Sequence, residues 1–584
     1  RKAFIAKQLS KDSAYFEVDL ENILLAHKQA YTIQREMNSR LSIIKAAAFS
    51  LKMMGDYMGQ DFSADYQTIE DTVRNKIKNE SLIPDNMKVV AGVTKELQQA
   101  ASWMALAFAP IQMSGQMLNG LFTNMKLHWT YDREIFSMDH LKSSFAEVSK
   151  DFVHFGTTPT LCEAINKVFG INDMDMNTYA QNLSTNKHGI FHFIDRYAFK
   201  MSSRPDFYNR MTLFLSQMKA DGCYEAVSLD ANGNLKYDCT KDARYKALWD
   251  GSPRTSDAYK KALSRYISVA QQFVSEGAKN SDGTLFEFDV NNPKPLPRMY
   301  TVQEAESRKD VADSMYGYYD HTKKALFFGR YLGGLIGQMR TYWSAKKNQY
   351  LATPGSNKIK GRYVQRKDDQ GNPLFYEVNE NGEVDYTKWT TTDTGYIVEQ
   401  WQGDYAEGVF VTLWGIVKEV WNNDNKSLGG MMETIRTKFL ENPDENYRRC
   451  YVNNLKLAAY DTCMAILLGA LCLGANLIYD DLEDEAKKSQ DLNDVLIANT
   501  FGLAFKTLNY AKLDFFWWES IFGPTIDWNP YAVSSLSNTV KQVTAVATGD
   551  KNAFDAMCQM FGFARQNKPI FKYLGQQTRL FEDE

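Results

Sequence analysis

Two short clusters in the sequence combine residue types that bind metal ions. His188 and His192 are four residues apart and Asp195 follows three residues later, so a helix would place all three on one face. The segment 188–193 is otherwise aromatic and apolar, which favours histidines that pack or face solvent over histidines that ligate a metal.

The second cluster, residues 173–177, begins like the twelve-residue loop that binds calcium. Such a loop needs glycine at its sixth position and glutamate at its twelfth, where this segment has Thr178 and Ser184. We therefore reject a calcium loop and predict that the protein has no metal site.

Three common sequence motifs of enzyme active sites are absent. None of the patterns G-x-x-x-x-G-K-[S/T], H-E-x-x-H and G-x-S-x-G occurs. The seven cysteines are odd in number and no pair has C-x-x-C spacing, which favours reduced, buried thiols over a disulfide framework or a zinc site. We predict that the protein is not an enzyme and that it has neither catalytic residues nor a cofactor.

The charge and composition of the 584-residue chain exclude other classes. Lys and Arg total 67 and Asp and Glu 71, a net charge of −4, which argues against nucleic acid as the main partner. A chain that is 44% hydrophobic and 24% charged is globular, and it is too polar for a polytopic membrane protein. With only 14 prolines, long helices are expected.

The N-terminal residues 1–54 contain neither glycine nor proline. Apolar residues spaced three and four apart predict one face of a helix from about Asp19 to Met54, roughly 50 Å long. A stripe of that length needs a long partner, either another helix or a neighbouring subunit. Its members are Ala30, Ile33, Met37, Leu41, Ile44, Ala48 and Leu51.

The fold class that these patterns predict is mainly α, an elongated multi-helix assembly with two small antiparallel β insertions. One insertion is a hairpin near 225–238, turning at Asn232-Gly233, and the other is a meander near 361–401. We divide the chain into four regions. They are a long-helix region (1–150), a helical region with the hairpin (151–300), helices plus the meander (301–404) and an apolar helical region (405–584).

The segment 325–337 places Gly329, Gly333 and Gly337 four residues apart on one helical face. Each glycine inside a helix costs about 1 kcal/mol relative to alanine, a cost that makes sense where another backbone approaches closely. The run is too short to span a bilayer and contains Arg330. Tight packing between helices or subunits and a membrane-active surface both remain open.

The segment 463–479 has Asn476 as its one polar residue and is at the lower limit of length for a membrane-spanning helix. It is either an insertable helix or the buried core helix of a large bundle. Its candidate packing or membrane residues are Leu468, Gly469, Leu471 and Gly474. Basic residues precede it and acidic residues follow it: Arg448, Arg449 and Lys456, then Asp480, Asp481, Glu483, Asp484 and Glu485.

The long helical chain, its glycine-spaced helices and the segments 328–332 and 568–574 give the sequence the general character of a known family. It resembles the internal virion proteins of tailed phages, the cargo or ejection proteins that crAss-like phages also carry. The resemblance implies storage in the capsid or portal–tail channel, association with portal or tail proteins, and ejection into the host. The apolar helices and the long stripe add two further expected partners, other copies of the chain and a host membrane.

Passage through a narrow channel suits a chain without disulfides whose helices refold from local contacts. Under this interpretation Arg1 is a processed or internal position of a longer protein. Two alternatives remain open. The chain is the helical portion of a giant virion enzyme such as an RNA polymerase, with the active site elsewhere, or it is a cellular membrane-associated scaffold.

Overall fold

The computed structural model describes residues 43–54, 57–59, 61–74, 82, 110–132, 134–152, 159–171, 190–280, 282–317, 349–423, 427–488, 491–515 and 531–549, and four single residues further on. The helices are α1 (Ser63–Thr72), α2 (Pro110–Thr130), α3 (Met138–Phe152), α4 (Leu161–Phe169), α5 (Ile190–Asp221), α6 (Asp257–Ser275), α7 (Val302–Tyr316), α8 (Val409–Asn422), α9 (Leu428–Ile435), α10 (Glu445–Lys488), α11 (Leu492–Phe515) and α12 (Tyr531–Ala547). The strands are β1 (Val227–Leu229), β2 (Leu235–Tyr237), β3 (Gly355–Gln365), β4 (Phe375–Val378), β5 (Val384–Thr390) and β6 (Glu399–Ala406). The predicted mainly α class with small β insertions is confirmed.

Capping residues in the sequence mark where helices begin and end. At the start of α4, Thr160 Oγ1 accepts a hydrogen bond from the Glu163 backbone N–H, and the Glu163 carboxylate accepts one from the Thr160 N–H. Thr301 and Glu304 form the same capping box at α7. Helix α4 ends at Gly170, whose φ of 58° is the left-handed conformation that glycine adopts at little cost.

The C-terminal half of α5 forms the centre of the helical body. Its side chains over 205–218 are all buried, and α2, α3 and α7 pack around it. Arg210 lies within this core and binds Asp206 at 2.9 Å and Asp313 of α7 at 2.6 Å. It also donates to the Gly317 carbonyl at 2.6 Å, so one buried guanidinium joins α5 to α7.

The first β insertion lies where the sequence predicts it. Strands β1 and β2 pair antiparallel in a register that places Val227 opposite Tyr237. In the turn, Asp230 Oδ1 accepts hydrogen bonds from the backbone N–H groups of Asn232 and Asn234. Gly233 has a φ of 76°, which is why the turn needs glycine there.

The second insertion has the predicted strands, but they do not pair in simple succession. Strand β3 pairs with β6 and β4 pairs with β5, and an isolated bridge joins Phe375 of β4 to Ile397, which lies two residues before β6. Packing explains this order, because β3 lies against α7 and β6 against α6 and α10. The hairpin of β4 and β5 adds Tyr376 and Val384 to a core built on Tyr266 of α6.

The predicted N-terminal stripe is described only in part, as a helical segment over 43–54. Within it Ala48 is buried and Ile44 and Leu51 are half-buried, as the stripe requires, while Phe49 and Met53 are exposed. The stripe residues before Ile44 lie outside the described part of the chain.

The cysteines in the described part of the chain are free thiols. Burial raises the pKa of Cys223 to about 12 and the pKa of Cys239 to about 11. Cys463 of α10 is exposed. Because the thiolate is the reactive form, the two buried cysteines are protected twice, by enclosure and by protonation.

Alkylation at pH 8 should therefore separate these thiols. We expect iodoacetamide to modify Cys463 at least about 100-fold faster than Cys223 and Cys239 in the folded protein. Peptide mass spectrometry over a time course measures the rates, and the same reaction in denaturant is the control. Similar rates in the folded protein would contradict the described burial.

Candidate functional site

Helix α10 is 44 residues long, and its first half is held in the body by polar contacts. Lys126 Nζ of α2 lies 2.8 Å from Asp461 Oδ1 and 2.9 Å from Oδ2, and both side chains are almost fully buried. Asn454 Nδ2 donates to Thr412 Oγ1 of α8 at 2.8 Å and to the Glu407 carbonyl at 2.9 Å. These contacts fix α10 against α2 and α8.

A cluster of charges also joins this half of α10 to the second β insertion. Arg449 lies 3.1 Å from Asp404 of β6, and the Tyr131 hydroxyl donates to Asp404 at 3.4 Å. Lys360 Nζ lies 4.0 Å from the centre of the Tyr131 ring. Burial lowers the pKa of Lys360, while the negative charges of Asp310 and Asp404 act to raise it. Burial also raises the pKa of Tyr131. Tyr131 is neutral and the charge of Asp404 is compensated by Arg449, so the cluster stabilises the contact between α10 and the second β insertion.

The second half of α10 presents a broad apolar surface. Residues 462–479 carry no charged side chain and extend about 27 Å at 1.5 Å per residue. The large apolar side chains on this surface are between 48% and 74% exposed. They are Ile466, Leu467, Leu471, Leu473, Leu477 and Ile478, named here the α10 apolar surface.

The opposite side of the same stretch packs against the protein. Ala465 and Leu468 are buried in a cluster with Phe122 of α2 and Leu508 of α11. Further along, the Tyr479 ring stacks on Phe505 of α11 with centroids 5.7 Å apart.

Helix α11 approaches α10 closely at Gly502. A Cβ at this position would meet the Tyr479 ring at 2.6 Å, so glycine is required for this packing. The second half of α10 is therefore supported along one narrow side by α2 and α11.

The four candidate residues that the sequence indicates within 463–479 differ in their exposure. Leu468 points inward and is completely buried, whereas Leu471 is 48% exposed. Gly469 is half-buried, and the space that a Cβ at Gly474 would fill is open. The second set of candidates lies outside the described residues: Gly329, Gly333 and Gly337.

The extent to which α10 is buried bears on whether 463–479 is an insertable helix or the buried core helix of a bundle. Among the described residues, Glu445–Leu482 is the one helix that by length and composition is long and apolar enough to cross a membrane. Only 22% of its most apolar window is buried, which is less than a core helix of a bundle would show.

Sequence reasoning missed a second apolar face, on α8. Phe410, Trp414, Val417 and Trp421 follow spacings of four, three and four, and all four are exposed. The other side of α8 packs Val409 against α10. The spacing is visible in the sequence and could have identified this face.

An open groove of about 360 Å³ lies on α11. It is apolar and shallow, and it lies on the helix that packs against α10. Its lining residues are Leu496, Ile497, Thr500, Phe501 and Ala504.

No group of three or more His, Cys, Asp or Glu within the described ranges is arranged to hold a metal ion. The segment 173–184, His188 and the side chains of His192 and Asp195 lie outside the description, so the absence of a metal site stays a prediction. No family model, curated protein or solved structure matches the chain.

Proposed function

We propose that this protein is a non-enzymatic cargo protein of a tailed-phage virion that is ejected into the host and acts at the host membrane. It would be stored in the capsid or the portal–tail channel, in contact with portal or tail proteins and with other copies of itself. The α10 apolar surface is the observation that carries the membrane part of this proposal.

The breadth of this surface favours lipid over a single helical partner. At 100° per residue, Ile466, Leu473 and Leu477 form one row, and Leu467, Leu471 and Ile478 form a second row roughly 120° around the helix. A helix–helix seam needs one narrow stripe, whereas an exposed face this wide suits a continuous apolar medium.

The length of the surface fits as well. The charge-free stretch of about 27 Å is close to the roughly 30 Å thickness of a bilayer's hydrocarbon core. Asp461 and Asp480 bound this stretch, and Asp461 is already neutralised by Lys126 inside the protein. The support from α2 and α11 presents the surface outward.

Storage and delivery rest on the resemblance to internal virion proteins and on the kind of fold. Helices with local contacts refold quickly after threading through a channel, and free thiols such as Cys223 and Cys239 impose no crosslink on the threaded chain.

Purified virions test the storage part of the proposal. We expect peptides from this chain in particles purified through a density gradient, at a constant ratio to a capsid protein between preparations. A host ribosomal protein measured in the same fractions is the control for contamination. Absence of the peptides would refute virion storage and would favour the alternative of a cellular membrane-associated scaffold, which would use the same α10 surface.

A further inference from the structure

We infer that α10 meets the membrane with its basic end towards anionic phospholipid headgroups and its acidic end away from them. This inference rests on the proposed membrane function and adds the class of lipid and the orientation of the helix. It depends on which charged residues lie on the exposed side of α10.

The exposed side of α10 carries charge at both ends of its apolar surface. Eighteen residues make five turns of a helix, so residues 18 apart lie on one line along it. Arg448, Ile466 and Asp484 have this spacing and all are exposed. Lys456 precedes exposed Gly474 by the same 18 residues. One side of the helix therefore changes from basic through apolar to acidic.

Neighbouring charges do not reverse this order. Glu445 lies on the basic part of the same side, but it pairs with Arg362 at 3.2 Å. Arg449 is occupied by Asp404. At the other end, Asp480 and Asp481 are exposed and add negative charge directly after the apolar surface.

The distances favour Lys456 as the residue that contacts headgroups. It is six residues, or about 9 Å, before the charge-free stretch, and a lysine stem can lie along apolar surface while its ammonium reaches the interface. Arg448 is about 21 Å before the stretch, beyond two Debye lengths at physiological salt, so its contribution is smaller. A basic residue near an anionic membrane contributes about fivefold in affinity.

Flotation of the full-length protein with vesicles tests the lipid class. The vesicles contain phosphatidylcholine alone or with 30% phosphatidylglycerol, at about 0.1 M salt. We expect at least about fivefold tighter binding to the anionic vesicles, and Lys456→Gln should remove most of this difference by weakening binding to the anionic vesicles more than binding to phosphatidylcholine. Lys456→Arg should keep the preference. Lys246→Gln, which removes an exposed cation far from α10, is the matched control and should also keep it.

Each outcome distinguishes this inference from the proposed function. Equal binding to both vesicles, or an equal loss with Lys246→Gln, would overturn the lipid preference and leave membrane action standing. Binding to neither vesicle would overturn both.

Labelling tests the orientation. In a Cys463→Ala background, a water-soluble maleimide is applied to free protein and to protein bound at a saturating vesicle concentration. Binding to anionic vesicles should slow the modification of Lys456→Cys, which lies against the headgroups, and leave that of the exposed Asp481→Cys unchanged. Equal slowing at both positions, or slowing at Asp481→Cys alone, would overturn the orientation.

Discussion

Replacing Lys126 with methionine is expected to lower the free energy of unfolding by about 3–5 kcal/mol. The ammonium of Lys126 contacts both carboxylate oxygens of Asp461, at 2.8 Å and 2.9 Å, and both side chains are at most 4% exposed. Without the lysine, the Asp461 carboxylate would be buried with no compensating charge, or would have to be protonated. Either state raises the free energy of the folded protein.

Urea denaturation followed by circular dichroism measures this effect. Lys142→Met is the matched control, because Lys142 is exposed on α3 and should change stability by less than about 0.5 kcal/mol. The double variant Lys126→Met/Asp461→Leu should recover most of the loss, since two apolar side chains leave no unpaired charge. A loss below about 1 kcal/mol for Lys126→Met alone would mean that the pair does not fix α10 to α2.

Replacing Leu473 and Leu477 with aspartate is expected to weaken binding to lipid vesicles by at least about 1,000-fold. An aspartate within the hydrocarbon core costs roughly 2.5–3.5 kcal/mol, so two of them exceed the affinity that one helix face provides. The two leucines are 74% and 72% exposed, and their replacement should change the free energy of unfolding by less than about 0.5 kcal/mol each.

The control for this pair carries the same change on another surface. Val274→Asp/Leu285→Asp alters two exposed apolar residues away from α10 and should bind vesicles as the unaltered protein does. Leu468→Asp is unsuitable as a binding test, because Leu468 is completely buried and its replacement would disrupt folding. Unchanged flotation of the Leu473/Leu477 variant would place membrane binding on another surface.

Much of the fold could be predicted because its signals are local. The hairpin of β1 and β2 follows from alternating residues around Asn232-Gly233, and the helix starts follow from capping residues such as Thr160. The pairing of β3 with β6 could not be predicted, because helices distant in sequence, α6, α7 and α10, determine it. Adjacent strands pair in a meander only when packing does not favour another order.

The candidate site on α10 could also be predicted only in part. The apolar stretch of α10 is visible in the sequence, but nearly uniform apolar residues give no period from which to choose its inward side. Leu468 and Leu471 are the same residue type. Leu468 is buried because it packs against Phe122 and Leu508, whereas Leu471 lies outside that cluster and is exposed. The ion pair of Lys126 and Asp461 joins positions 335 residues apart, for which one sequence contains no signal.

The surroundings of residue 473 in vesicle-bound protein test most directly whether the α10 apolar surface contacts lipid. An environment-sensitive fluorophore on Leu473→Cys, in a Cys463→Ala background, reports this. We predict that its emission shifts to shorter wavelength on binding and that lipids brominated in their acyl chains quench it, while aqueous iodide does not. Bound protein whose label remains accessible to iodide and is not quenched by brominated chains would contradict the account.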